Sequence, residues 1–149
     1  MILWRISRHS TLDGHGGRLA SARWHTRGRP VVYLAETPAG ALLEVLVHLE
    51  LTPDSLPSHY GLLKAEAPDE ISGRTLGPAD LSGGWVGDVI LTRTIGDEWL
   101  ASYGTVLLRV PSAIVPETFN VLLNPEHPGA GRIQVLWHEQ YPWDARLFR

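Results

Sequence analysis

Glu44 lies in the middle of the most apolar helical stretch of the chain, residues 37–49, with the sequence TPAGALLEVLVHL. Because a lone buried carboxylate is costly, Glu44 must reach water, pair with a cation, or be held for chemistry. A solvated carboxylate on a helix face is the plainer interpretation. Gly40 and Ala41, however, lie one turn before Glu44 and leave room for a ligand to approach it.

Two arginines and a tyrosine precede this helix. Arg5 alternates with the apolar Trp4 and Ile6 and therefore points away from their face, and Arg23 lies before a β-branched strand. Arginine donates paired hydrogen bonds to phosphate, so Arg5 and Arg23 on adjacent strands could clamp a pyrophosphate, although a surface position is the commoner fate. Tyr33 is either a half-buried core residue or an aromatic surface for a nucleobase or nicotinamide ring. These residue types together suit an anionic, aromatic ligand.

Ser112 follows a predicted strand directly, at a junction of strand and loop where functional residues often lie. It is not part of a Gly-x-Ser-x-Gly elbow, so its surroundings do not indicate a hydrolase nucleophile. The seven histidines lack the spacing of metal ligands, and His25 is expected to be a solvated loop residue. Arg27 and Arg29 flank a glycine in a turn and are also expected to be solvated.

The hydrophobic pattern predicts five strands, at residues 2–7, 30–35, 60–66, 105–110 and 133–138. It predicts a helix over 37–49, with Thr37 as N-cap and Pro38 at the first helical position, and a short helix over 98–103 that Gly96-Asp97 opens and Gly104 closes. Residues 9–22 are predicted to form a loop, and residues 67–90 have no assignable pattern. Because strands and helices do not alternate regularly, we expect an α+β fold with a mostly antiparallel or split sheet and flanking helices.

The composition of the 149-residue chain predicts one domain, residues 1–149. A net charge of −3 argues against a protein that binds nucleic acid through bulk electrostatics, so no direct nucleic-acid partner is expected. The absence of cysteine excludes disulfides and thiolate zinc sites, and no metal site is expected. No apolar run approaches the length of a membrane span and no signal peptide is present, so we expect a cytoplasmic protein without membrane contacts.

In their order and spacing, several motifs resemble the RES-domain toxins of bacterial toxin–antitoxin modules, and the resemblance is near full length. The motifs are the Trp-Arg-Ile-Ser start, Leu12-Asp13-Gly14, Arg23-Trp24, the Pro-Val-Val-Tyr strand, the Ala-Leu-Leu-Glu-Val-Leu-Val-His-Leu helix, Gly96-Asp97-Glu98-Trp99-Leu100, Val110-Pro111-Ser112-Ala113, residues 120–125 and a terminal Trp-Asp-x-Arg-Leu. The chain departs from that pattern at Ala22 and His25, where the family more often has Gly and Asn.

The resemblance implies a compact domain similar to the ADP-ribosyltransferase fold, with a split β-sheet core. It implies an enzyme that breaks the nicotinamide–ribose bond of NAD+ as its substrate and requires no cofactor. The acceptor is left open between water, inorganic phosphate and a protein side chain. It also implies a cognate Xre-type antitoxin with a helix-turn-helix domain, which would neutralise the toxin and carry the contacts to DNA.

Residue by residue, the resemblance places the family's functional positions on Arg5, Arg23, Tyr33, Glu44 and Ser112. It implies that Glu44, Arg23, Tyr33 and Ser112 are catalytic, and that Arg5, Arg23, Tyr33 and Ser112 bind NAD+. Two other functions remain open at this point. One is a protein ADP-ribosyltransferase that uses NAD+, and the other is a non-catalytic partner-binding module of a toxin–antitoxin repressor complex.

Overall fold

Seven strands form one sheet in a computed structural model that describes residues 1–48 and 55–148. They are β1 (Ile2–Ile6), β2 (Val32–Ala35), β3 (His59–Glu66), β4 (Gly73–Thr75), β5 (Leu107–Pro111), β6 (Phe119–Leu123) and β7 (Gln134–Pro142). Their order is β4-β5-β6-β2-β1-β3-β7, and every neighbouring pair is antiparallel except β4 and β5. The expected α+β fold with a mostly antiparallel sheet is confirmed.

Three α-helices of the described residues flank the sheet: α1 (His15–Leu19), α2 (Pro38–His48) and α3 (Val89–Ser102). The predicted start of α2 is confirmed, because the Thr37 hydroxyl accepts a hydrogen bond of 2.9 Å from the Gly40 N–H and Pro38 is the first helical residue. The predicted last residue, Leu49, lies outside the described residues. No helix of residues 1–48 or 55–148 is both long and apolar enough to cross a membrane.

The sheet is split where β1 meets β2. Trp4 and Ala35 are the only residues that pair between these two strands, whereas β1 pairs with β3 along five residues and β2 pairs with β6 along four. One half of the sheet is therefore β7-β3-β1 and the other is β2-β6-β5-β4. The strands separate after this single pair, and the gap between them gives room for a ligand.

Two clusters of buried side chains cover the two faces of the sheet. The first includes Leu3, Val32, Leu34, Leu63, Val121 and Leu123. The second joins α3 to the sheet and includes Trp24, Trp99, Leu100, Leu108, Val110 and Leu122. The alternation of side chains along each strand produces this division.

Helix α3 approaches the segment before β2 very closely. A Cβ atom added at Gly96 would overlap the carbonyl oxygen of Trp24, so only glycine fits at this point of the helix. The Thr92 hydroxyl donates a hydrogen bond of 2.7 Å to the carbonyl of Arg23, and the Arg93 Nε donates one of 2.8 Å to the carbonyl of Ala22. Helix α3 thus fixes the backbone that carries Arg23 and His25.

Several predicted boundaries are wrong. Residues 9–22 are not all loop, since they contain α1. Helix α3 begins at Val89, with the Asp88 carboxylate accepting from the Leu91 N–H at 3.0 Å, and not at Glu98. Its C-cap is Tyr103, which has a φ of 52°, rather than Gly104. The short strands β4 and β6 were not predicted at all, and β7 extends four residues beyond the predicted end at position 138.

Candidate functional site

A cavity of about 510 Å³ opens where β1 and β2 separate, beneath α2. Its lining includes four of the five residues singled out in the sequence, Arg5, Arg23, Tyr33 and Glu44. The other lining side chains used below are Trp4, Ala35, Ala41, His48 and Asn120. Ser112 does not line the cavity, but it contacts Glu44. The sequence-predicted residues are therefore brought together from β1, the segment before β2, β2, α2 and the position after β5.

Glu44 is held through one of its two carboxylate oxygens. Oε1 accepts a hydrogen bond of 2.7 Å from the Asn120 Nδ2 and one of 3.2 Å from the Ser112 hydroxyl. In the part of the chain that the structure describes, Oε2 has only the Nε2 of His48 near it, at 3.9 Å, and the side chain of Glu44 is 28% exposed. Two neutral donors thus orient the carboxylate without neutralising its charge, and Oε2 is available to a ligand.

Ser112 has no hydrogen-bonding capacity left for a ligand. Its hydroxyl donates to Glu44 and accepts from the backbone N–H groups of Ile114 at 3.1 Å and Val115 at 3.3 Å. A serine hydroxyl carries one proton and two acceptor lone pairs, and all three are used. Ser112 is also buried, with 7% of its surface exposed. Its position at the end of β5 therefore serves to hold Glu44.

Arg5 is a half-buried cation in the wall of the cavity. Within residues 1–48 and 55–148 its guanidinium has no hydrogen bond and no carboxylate within ion-pair distance. Burial lowers its pKa and the more distant Asp13 opposes this shift, yet arginine stays charged at neutral pH. A half-buried charge without a protein partner is costly, so the cavity wall favours an anion beside Arg5.

Among the described residues, Arg23 has one side-chain hydrogen-bond partner and several free donors. Its Nη1 donates a hydrogen bond of 2.8 Å to the carbonyl oxygen of Val86. That residue lies in a short 3₁₀-helix, Trp85–Gly87, whose Trp85 packs on Trp24 with ring centroids 6.1 Å apart. Because a guanidinium has five N–H donors in a planar fork, the remaining donors can bind a second anionic group.

Tyr33 is joined to a buried histidine that was expected to be solvated. His25 is only 2% exposed, so that prediction is wrong. The Nδ1 of His25 lies 2.8 Å from the Tyr33 hydroxyl oxygen, and the Nε2 lies 3.1 Å from the carbonyl oxygen of Gly17 in α1. The Tyr33 oxygen also accepts a hydrogen bond of 3.1 Å from the Trp24 N–H. Burial raises the pKa of Tyr33, and its hydroxyl is neutral at physiological pH.

Several titratable residues singled out by their position lie away from the cavity. Arg27 and Arg29 are exposed, as predicted, and line a shallow hollow of about 540 Å³ beside α3. The carboxylate of Asp97 in that hollow is already bound to Thr26 by hydrogen bonds of 2.9 and 2.7 Å. Glu36 pairs with Arg109 at 2.7 Å.

Comparison with known proteins gives the cavity a context. The sequence matches the RES domain over residues 2–144. The chain belongs to the RES domain family. A protein called Toxin Res from Pseudomonas putida is 51% identical over 150 residues, which cover 99% of this chain and 100% of that protein. A protein called Prs ADP-ribosylating toxin, from a Sphingobium species, is 35% identical over 156 residues, with 98% and 96% of the two chains covered.

A solved structure agrees with this RES domain in fold. The M. tuberculosis MbcT–MbcA toxin–antitoxin complex contains a chain that superposes with a TM-score of 0.76 at 17% identity. The superposition covers 99% of this chain and 86% of that one. At such low identity the likeness concerns the fold alone.

Two polar residues of this RES domain site were not singled out as site residues in the sequence. Asn120 lies within a motif of the family resemblance, but nothing local indicates that its side chain meets Glu44, 76 positions away. His25 was expected to be a solvated loop residue and was otherwise noted only as a departure from the usual asparagine. The contacts that bury His25 come from α1 and α3, so the residues around position 25 carry no signal for them.

Proposed function

We propose that this chain is the toxin of a toxin–antitoxin pair and that it consumes NAD+ by breaking the bond between nicotinamide and ribose. The observation that carries the proposal is the oriented carboxylate of Glu44, which shares one cavity with the guanidinium groups of Arg5 and Arg23. NAD+ joins a pyrophosphate dianion to a cationic pyridinium ribose. The cavity offers separate groups of opposite charge that suit those two parts.

The chemistry resembles glycoside cleavage. The bond from ribose C1′ to nicotinamide N1 breaks, its electron pair goes to the nitrogen, and neutral nicotinamide leaves. The ribosyl group passes through a cation-like transition state. The charge of Glu44 stabilises that developing cation, either directly or through the ribose 2′-hydroxyl. An acceptor oxygen then bonds to C1′ and releases its proton.

The remaining residues bind and orient in this scheme. Arg5 and Arg23 bind the pyrophosphate through charge-assisted hydrogen bonds. Tyr33 packs on the nicotinamide side through its ring. Ser112 is assigned a different role from the one the sequence suggested: it holds Glu44 together with Asn120, because its own hydrogen bonds are all used. No metal or cofactor is required by this chemistry.

The test is NAD+ consumption by purified protein, measured as release of nicotinamide, with and without inorganic phosphate. Glu44→Gln keeps the shape and removes the charge, so the rate should fall by about 10²-fold or more. Glu36→Gln is the matched control, since Glu36 is a half-exposed glutamate whose partner is Arg109. A Glu44→Gln protein as fast as wild type would refute the role of Glu44. A rate that depends on phosphate would identify phosphorolysis, and one that does not would identify hydrolysis.

A second candidate is transfer of ADP-ribose to a protein, which the name of the Sphingobium relative favours. Cleavage of the same bond begins both reactions, and only the acceptor differs. With NAD+ labelled in the adenylate part, label on a protein band supports transfer, whereas free ADP-ribose or its phosphate ester supports simple consumption. If neither appears, the chain acts as a non-catalytic partner-binding module.

An antitoxin partner follows from the toxin assignment. The fold is shared with a chain of a toxin–antitoxin complex, and the partner we propose here is an Xre-type antitoxin with a helix-turn-helix domain. Co-expression with the adjacent gene product and co-purification would test this. A neighbouring product that neither binds the chain nor suppresses growth arrest would contradict it.

A further inference from the structure

The hydrogen bonds of His25 fix its tautomer. Nε2 lies 3.1 Å from the carbonyl oxygen of Gly17, which can only accept, so in the neutral ring Nε2 carries the proton. Nδ1 is then an acceptor, and the group 2.8 Å from it is the Tyr33 hydroxyl. The Tyr33 proton therefore points at His25. His25 is buried and Tyr33 is half-buried.

The consequence is a restriction on what Tyr33 can offer a ligand. A phenolic oxygen has one proton to donate and two lone pairs that accept. The proton goes to His25, and one lone pair accepts the N–H of Trp24 at 3.1 Å. What Tyr33, as a lining residue of the cavity, still has for a ligand is its ring and one accepting lone pair.

We propose that His25 is a positioning residue of the site: by taking the Tyr33 proton, it makes Tyr33 an acceptor and not a donor toward the ligand. This rests on the proposed NAD+ function and names a preference within it. The pyridine ring of NAD+ bears a carboxamide, whose NH₂ can donate to Tyr33. The deamidated dinucleotide bears a carboxylate, which can only accept, so two acceptors would face each other. The site therefore selects the amide over the acid.

Two substitutions separate positioning from simple packing. An asparagine at position 25 can bring its amide oxygen close to the place of Nδ1 and accept from Tyr33, although it is too short to replace the bond from Nε2 to Gly17, so His25→Asn should retain the preference. His25→Leu removes the acceptor, and the freed Tyr33 proton can rotate toward a carboxylate. His9→Leu is the control, because His9 is an exposed loop histidine.

The experiment compares kcat/KM for NAD+ and for nicotinic acid adenine dinucleotide. Wild type, His9→Leu and His25→Asn should prefer NAD+ by about ten-fold or more, and His25→Leu and Tyr33→Phe should lose most of this preference. A ratio that is the same in wild type and His25→Leu would overturn the proposal. Where His25→Leu fails to fold, Tyr33→Phe and His25→Asn still decide it, because the first must lose the preference and the second must keep it.

Nitrogen NMR of the histidine rings gives a readout independent of turnover. For His25 the spectrum should show a protonated Nε2 and an unprotonated Nδ1, and Tyr33→Phe should change the chemical shift of Nδ1. A protonated Nδ1 in wild type at neutral pH would overturn the proposal. Where the protein binds NAD+ but does not cleave it, the proposed function fails, and the ratio of dissociation constants for the two dinucleotides tests the positioning role instead.

Discussion

Removal of the Asn120 amide should slow the reaction through Glu44 and through nothing else. Asn120→Ala deletes the shorter of the two hydrogen bonds on Glu44 Oε1, 2.7 Å against 3.2 Å for Ser112. A hydrogen bond to a charged group contributes about 1.5–3 kcal/mol. If that energy orients the carboxylate in the transition state, kcat/KM falls by about 10- to 150-fold.

A double-mutant cycle isolates this coupling. Glu44→Gln removes the charge that Asn120 orients, so Asn120→Ala in the Glu44→Gln background should change the rate by less than about three-fold. Nicotinamide release over a range of NAD+ concentrations gives kcat and KM for the four proteins. Because the lost interaction acts in the transition state, the change should appear mainly in kcat.

Asn124→Ala is the matched control for fold effects. Asn124 is a buried asparagine whose Nδ2 donates to the Leu100 carbonyl at 3.3 Å, and it does not line the cavity. Loss of this side chain should lower the melting temperature of the Asn124→Ala protein, while the molecules that remain folded should have the wild-type kcat. The anchoring role of Asn120 is refuted if the rate reductions of Asn120→Ala and Glu44→Gln multiply fully in the double mutant. It is also refuted if Asn124→Ala slows catalysis as much as Asn120→Ala.

Three further perturbations test the site and its support. Arg5→Met should raise KM for NAD+ by about ten-fold or more, because it removes a charged donor to the ligand. The melting temperature should stay equal or rise, because the removed group is a half-buried cation without a described protein partner. A clearly lower melting temperature with unchanged KM would contradict both expectations. Gly96→Ala should destabilise the protein by about 2 kcal/mol or more in chemical denaturation, since its Cβ would overlap the Trp24 carbonyl, whereas Gly131→Ala, with open space around it, should cost less than about 1 kcal/mol. The raised pKa of Tyr33 favours its neutral form in the folded state, so its contribution to stability is full below about pH 10 and is lost as the pH rises further. Between about pH 10 and 12 the free energy of unfolding of Tyr33→Phe should therefore fall less steeply with pH than that of wild type. Equal pH slopes for the two proteins would argue against a buried hydroxyl.

The residues that could be predicted from the sequence are those whose local setting is unusual. A glutamate in an apolar helix, an arginine out of phase with an apolar strand face and a tyrosine in a buried strand are all conspicuous without any knowledge of the fold. Arg5, Tyr33 and Glu44 were found in this way and do line one cavity. The start of α2 was found for a similar reason, because Thr37-Pro38 carries its own capping chemistry.

What could not be predicted depends on contacts between distant segments. Asn120 reaches Glu44 only because β6 pairs with β2, and the five residues of β6 are too few for a clear pattern. His25 is buried because α1 supplies a carbonyl acceptor and α3 fixes the neighbouring backbone. Neither contact leaves a trace in the residues around position 25.

Gly96 shows how a correct local rule can mislead. Gly-Asp commonly precedes a helix, so a helix start near position 98 was reasonable. The structure places Gly96 in the interior of α3, where glycine is intrinsically unfavourable by about 1 kcal/mol. That cost is accepted because no side chain fits against the Trp24 carbonyl. The requirement for close packing, which is non-local, outweighed the propensity signal.

A single row of residues across the sheet explains why the site lies at the split. Trp4 pairs with Ala35, and Ala35 pairs in turn with Asn120, so one row crosses from β1 through β2 to β6. Helix α2 crosses this row closely, since a Cβ at Gly40 would lie 3.6 Å from the Ala35 Cβ.

Glu44 follows one helical turn after Gly40 and reaches Asn120 on the same row. The pairing that holds the two half-sheets together is thus also the one that places the carboxylate. A larger residue at Ala35 would push α2 outward and lengthen the contact from Glu44 to Asn120. The split of the sheet and the orientation of the acid therefore meet at Ala35, which ends the contact between β1 and β2, pairs with Asn120 and packs beneath α2.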